Sequence, residues 1–188
     1  MTLVLLLVAA IAVGIAVYAG IALRAWVRFR GTRVVVCPEN HHTAAVEVDP
    51  GQAAVSAVMG SPDLTLRACS RWPEKEDCGQ ECLAQIEAAP DETLVVSVFE
   101  RWSAERACAL CGQPMVIQPH GHQPAVMDLT RPDHPTLEWA KIDPTELPDR
   151  LKTLAPVCWN CHIAESFRRL HPELVVDRRE HVGPAAHL

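Results

Sequence analysis

The stretch APVCWNCHIAESFRRLHPE, residues 155–173, decides how the rest of the chain is read. Its core, Cys158-Trp159-Asn160-Cys161-His162, fits three chemistries. As Cys-x-x-Cys-His it matches c-type haem attachment. As Cys-x-x-Cys it matches half of a four-cysteine zinc site, or a thiol redox pair. The pentapeptide alone does not choose between them.

The nearest help lies upstream. Cys108-Ala109-Leu110-Cys111 is a second pair at the same spacing, and Gly112 follows it directly. A glycine there lets the backbone turn so that main-chain N–H groups face the sulfurs without a Cβ clash, the form of a zinc knuckle. Between the pairs, MVIQ, AVMDL and TLEWAKI read as short strands, the last two as a hairpin, with the loop PHGHQ among them. DPTEL reads as a helix start, with Asp143 as cap, Pro144 in the first turn and Glu146 three residues on. That helix is predicted to run to about Leu154, and Pro156 then breaks the chain before the second pair opens a final helix.

A knuckle, a hairpin and a second Cys-x-x-Cys opening a helix resemble a treble-clef or zinc-ribbon-like four-cysteine motif, with a local pattern similar to the GATA-type finger. The resemblance covers residues 108–170. Forty-six residues separate the pairs, with a helix inserted, which is longer than the usual finger. It implies four metal ligands, Cys108, Cys111, Cys158 and Cys161, holding zinc in a closed tetrahedron. His162 is then expected at the surface beside the site, with Trp159 shielding the site from water. Under the haem alternative Cys158 and Cys161 hold the group, His162 is its axial ligand, and His120, His122, Met115 or Met127 supplies the sixth position. Haem leaves the partner pair idle. The redox reading lacks the βαβ context of a thioredoxin-like site. An iron–sulfur cluster remains open, since four thiolates serve iron as well as zinc. The loop histidines and Asp133 with His134 read as solvated.

The first half carries four more cysteines, Cys37, Cys69, Cys78 and Cys82. TRVVVCPE reads as a strand ended by Pro38, and TAAVEVDPG as a second strand closed by a turn at Asp49-Pro50-Gly51. Gln52 to Met59 reads as a short helix stopped by Gly60, and LTLRAC as a third strand. In DCGQECLAQIEAAP, Asp77 is expected to cap a helix reaching Ala88, with Cys78 and Cys82 four apart on one face. This set is expected to form another metal site, although free cysteines also pack as small hydrophobes. His41 and His42 beside Cys37 read as solvated. Residues 94–102 recur at helical spacing and read as a helix joining the two halves.

From Leu3 to Leu23 no residue is charged. Twenty-one such residues, at roughly 1.5 Å each, cross a hydrocarbon core of about 30 Å. The run is long for a signal peptide and no basic residue precedes it, so an uncleaved anchor is preferred. Arg24, Arg28, Arg30 and Arg33 follow, which places the remainder in the cytoplasm beneath the inner or plasma membrane. The expected domains are 1–23 transmembrane anchor, 24–33 basic juxtamembrane segment, 34–90 first four-cysteine subdomain, 91–172 treble-clef-like subdomain and 173–188 tail.

Charge narrows the function. Without the four flanking arginines, 13 of the 17 Lys and Arg remain against 23 Asp and Glu, a balance of −10. Such a domain repels phosphate backbones, so no nucleic-acid role is expected. The chain has no Gly-rich phosphate loop, nucleophile elbow or His-Glu-x-x-His pattern, and no enzyme is expected. The reading is an α+β, cysteine-rich, single-pass membrane protein with structural zinc, acting as adaptor or scaffold for a protein partner. The alternative is an electron carrier with c-type haem or an iron–sulfur cluster. In an oxidising compartment the same cysteines would instead suit disulfides.

Overall fold

The computed structural model of the chain describes residues 1–72, 74–75, 77–115, 125–131 and 133–175. Helix α1 spans Thr2–Phe29 and is long and apolar enough to cross a membrane. Its side chains from Leu3 to Val13 are exposed wherever they are large and apolar. At the other end Ala25 and Phe29 are buried, and Phe29 joins the core of the first unit. The helix therefore continues beyond the apolar run and ends inside a folded domain.

The described chain divides into two compact units, Met1–Glu100 with Asp143–Pro148, and Arg101–Ile142 with Asp149–Leu188. The division falls within helix α5 (Val95–Ala104), the helical segment expected from the apolar spacing of residues 94–102.

The first unit is built on a three-stranded antiparallel sheet, β1 (Thr32–Val36), β2 (Thr43–Val48) and β3 (Leu66–Cys69), in the order β1-β2-β3. Alternation along β2 buries Ala44, Val46 and Val48, the period of two that a half-buried strand requires. Between β2 and β3 lies α2 (Pro50–Met59), which packs against α1. Asp49 is the cap of this helix and not part of a separate turn. Its carboxylate accepts the N–H groups of Gly51 and Gln52 at 2.8 and 3.1 Å, and Pro50 opens the first turn. Gly60 ends the helix as expected.

Two expectations for this half need correction. Arg33 is not a basic flank residue. Strand periodicity turns it to the same inward face as Val35, and it is fully buried. Its guanidinium donates to the carbonyls of Pro90 and Arg28 and to Thr93 Oγ1, and lies over the Phe29 ring. The Arg28 carbonyl has no partner of its own within the last turn of α1, so the arginine caps that helix end while bonding α4 (Pro90–Thr93). The second correction concerns Cys78 and Cys82, which do not share a helix. Helix α3 is only Leu83–Ala88, Cys82 is its cap, and Cys78 lies before it. Gln80 interrupts the segment with φ +54°, and its side-chain oxygen accepts the Leu66 N–H at 2.9 Å, tying the turn to β3.

The second unit holds another three-stranded antiparallel sheet, ordered β5-β4-β6, from β4 (Ala125–Asp128), β5 (Leu137–Glu138) and β6 (Leu154–Val157). The hairpin of AVMDL and TLEWAKI is present, but its second strand is short, because Trp139–Lys141 form a 3₁₀ turn. The helix expected from Asp143 to Leu154 shrinks to α6 (Leu147–Arg150). Asp143 caps a local turn, its carboxylate accepting Thr145 N–H and Oγ–H at 2.8 and 2.7 Å. Leu154–Val157 instead pair with β4, so tertiary pairing overrides local propensity. Pro156 lies in β6, an edge strand, where its missing N–H is tolerated. Helix α7, Trp159–Leu170, starts at Cys158 as expected. MVIQ beyond Met115, the loop PHGHQ with His120 and His122, and the tail beyond Val175 lie outside the described residues.

Candidate metal centre

Cys108 and Cys111 flank a tight turn closed by Gly112, whose φ of +71° is open to glycine at no steric cost. The Gly112 N–H donates to the Cys108 carbonyl at 2.9 Å, and the Cys108 N–H to the Gln113 carbonyl at 2.8 Å. The Ala109 N–H donates to the Pro156 carbonyl at 2.9 Å, which docks the knuckle on β6. One residue beyond that strand, Cys158 caps α7, and Cys161 follows in its first turn. Two segments far apart in sequence thus deliver four sulfurs to one place.

The ligand atoms of Cys108, Cys111, Cys158 and Cys161 all lie within 4.8 Å of one another. Cys111 Sγ and Cys158 Sγ are 3.9 Å apart. A zinc tetrahedron with Zn–S bonds of about 2.3 Å has edges of about 3.8 Å, so the four sulfurs are close enough to share one metal ion. Cys108 is 2 % exposed and joins a small core of Met115, Ala125 and Val157, while Cys111 is on the outside.

The electrostatics favour a thiolate at Cys108. Burial raises its pKa, but the N–H groups of Cys158, Cys111 and Leu110 outweigh burial and lower it to about 6. The Cys158 N–H reaches its sulfur at 3.3 Å. Cys158 and Cys161 move the other way, pushed up first by burial, with hydrogen bonding among the neighbouring sulfurs adding to the rise at Cys161. One thiolate among clustered thiols is a site that exchanges its remaining protons for a cation.

His162 departs from the expected surface position. It is 7 % exposed, and its Nδ1 lies 2.7 Å from the hydroxyl of Thr136, which is also buried. Trp159 packs against the imidazole, with ring centroids 5.2 Å apart. The imidazole therefore braces α7 against the segment before β5. No local signal marks Thr136, because the contact spans 26 residues without a motif.

Cys37, Cys69, Cys78 and Cys82 line one cavity of about 320 Å³. Among the described residues no three of them meet the 4.8 Å spacing of the second set. Cys37 Sγ accepts a hydrogen bond from Arg71 Nη1 at 2.9 Å, a contact across 34 residues that the sequence did not signal. None of the eight cysteines forms a disulfide.

Comparison of the chain with protein-family models, with curated proteins and with solved structures gives no match.

Proposed function

We propose that this chain is a membrane-anchored adaptor or scaffold whose second unit folds around a structural zinc ion held by Cys108, Cys111, Cys158 and Cys161. The observation that carries the reading is the convergence of four sulfurs from two distant segments within 4.8 Å. Four thiolates fill a tetrahedron and leave no open position for a substrate or water, which suits a structural ion better than a catalytic one. Zinc is preferred because it is the common structural ion for such a knuckle pair. The use of His162 by Thr136, and of all four cysteines in one cluster, supports an ion over haem.

The anchoring role rests on α1, and the cytoplasmic placement on the arginines after its apolar run. The adaptor role is supported by α7, which exposes Ile163, Phe167 and Leu170 at helical spacing, apolar surface of the kind a protein partner covers. The acidic charge disfavours nucleic acid as that partner.

Metal analysis and a visible spectrum of the full chain in detergent test the centre. Zinc retained through purification, and lost in Cys158→Ser, supports the reading. A haem Soret band would overturn it. Fusion of a cytosolic and an export-dependent reporter to the C-terminus tests the orientation, and activity of the export-dependent reporter alone would reverse it.

A further inference from the structure

The cavity of the first unit combines four observations. It is lined by Cys37, Cys69, Cys78 and Cys82, so four soft ligands face one space. They are spread more widely than one ion allows, since no three of their sulfurs lie within 4.8 Å of one another, whereas the second set meets that spacing. The space is large. Roughly 10–15 Å³ of such volume holds one water, and this cavity has about 320 Å³. Trp72 also lines it, and the indole N–H of Trp72 is buried with no acceptor.

A single zinc ion answers neither the spread of the sulfurs nor the volume, although its thiolates would accept the Trp72 N–H as the sulfides of an iron–sulfur cluster would. It would need the sulfurs drawn to tetrahedral edges of about 3.8 Å. It would leave most of the cavity unfilled. A polynuclear iron–sulfur cluster answers both. Its cysteines bind different iron atoms and so stand further apart, its inorganic sulfides occupy volume, and those sulfides accept hydrogen bonds.

The lining carries two cations, Arg71 and Lys75, both paired with Glu39, beside the carboxylates of Asp77 and Glu81. A thiolate-ligated cluster is anionic, and Arg71 donates to Cys37 Sγ at 2.9 Å. The main-chain N–H groups of Glu39 and Asn40 also bond the Cys37 sulfur. These are the residues two and three beyond that cysteine. In the second unit the N–H groups of Leu110 and Cys111 stand in the same relation to Cys108. Cys37 thus has the N–H setting of a metal-bound thiolate although no second cysteine follows at the knuckle spacing. Val46 and Leu66 supply apolar lining on another side of the cavity.

We propose that Cys37, Cys69, Cys78 and Cys82 ligate an iron–sulfur cluster in this cavity, with Trp72 and Arg71 as hydrogen-bond donors to its sulfur atoms. The proposal is independent of the zinc centre in the second unit. The test is iron, acid-labile sulfide and zinc per chain on the full protein purified without oxygen in detergent, with the visible spectrum. The expected result is iron and sulfide in equal amounts with broad absorption near the blue edge. Cys69→Ser and Cys78→Ser should each lose both while keeping zinc. A colourless protein with no iron after reconstitution with ferrous iron and sulfide would overturn the proposal. So would iron that survives both substitutions, or zinc lost with them in place of iron. Loss of zinc in Cys158→Ser with iron unchanged separates the two centres. Trp72→Phe keeps all four ligands and guards against a folding artefact: cluster content should be unchanged and the reduction potential lower, because an N–H donor to sulfur raises it. An unchanged potential would remove Trp72 from the site.

Discussion

The main-chain N–H of Cys158 donates to Cys108 Sγ at 3.3 Å, joining residues 50 apart in sequence. That bond ties the cap of α7 to the knuckle before any ion arrives. An ion shared by the four sulfurs would complete a link that the short sheet and small core of the second unit supply only in part. Structural zinc provides on the order of 10 kcal/mol of folding free energy, as much as the whole stability of a small domain. Cys108→Ser is therefore expected to make the second unit protease-sensitive, and chelation of the wild type should do the same. Limited proteolysis with mass mapping checks this, and unchanged resistance would mean that the site is not structural.

Metal binding should release protons. With Cys108 lowered to about 6, its thiolate is already formed at neutral pH. Cys158 and Cys161 are raised above the usual thiol range and are protonated there. An incoming ion displaces at least those two protons, so affinity rises with pH and falls in acid. As pH drops through about 6 the Cys108 thiolate is lost as well, and the loss of affinity steepens. Calorimetry in buffers of different ionisation enthalpy counts the protons directly. Zinc uptake at neutral pH without proton release would contradict this order of titration.

His162→Ala should lower stability without removing the ion. From sequence His162 is expected at the surface beside the site. Its burial and the 2.7 Å contact to Thr136 reverse that expectation. Truncation leaves the buried Thr136 hydroxyl unpaired, at a cost of about 1–3 kcal/mol, in addition to the lost packing. Denaturant titration with zinc analysis separates the two effects. Zinc lost together with the imidazole would make His162 a ligand.

Arg33 and Phe29 should be as important to the first unit as its sheet. Phe29 is 5 % exposed in the core and Arg33 bonds two carbonyls and a hydroxyl from the interior. Phe29→Ala is expected to cost about 3–5 kcal/mol. Arg33→Lys should rescue little of an Arg33→Ala defect, since an ammonium lacks the planar fork that reaches Arg28, Thr93 and Pro90 together. Urea unfolding of the full chain in mild detergent, followed by tryptophan fluorescence, measures both. Wild-type midpoints would show that the anchor ends outside the folded unit.

Much of this was legible from local signals. Short β-branched and apolar runs bounded by turn residues located β1, β2 and β3, and Gly60 marked the end of α2. The spacing of two Cys-x-x-Cys pairs brought out Cys108, Cys111, Cys158 and Cys161, because a knuckle and a helix start are themselves local structures. What was not legible depends on distant partners. Leu154 reads as the end of a helix and Pro156 as a break until β4 pairs with Leu154–Val157. Arg33 reads as a membrane flank until the sheet turns it inward. Cys78 and Cys82 have helical spacing, yet Gln80 in the left-handed region breaks the turn between them. Thr136 and Arg71 carry no motif at all, and only the fold sets them beside His162 and Cys37.

The central claim is that one ion is held by four thiolates in the second unit. X-ray absorption at the zinc edge on the purified full chain tests it most directly. Four sulfur scatterers at about 2.3 Å are predicted, and that shell should vanish with the zinc in Cys158→Ser. Nitrogen or oxygen atoms in the shell, or a four-sulfur shell that persists in Cys158→Ser, would contradict it.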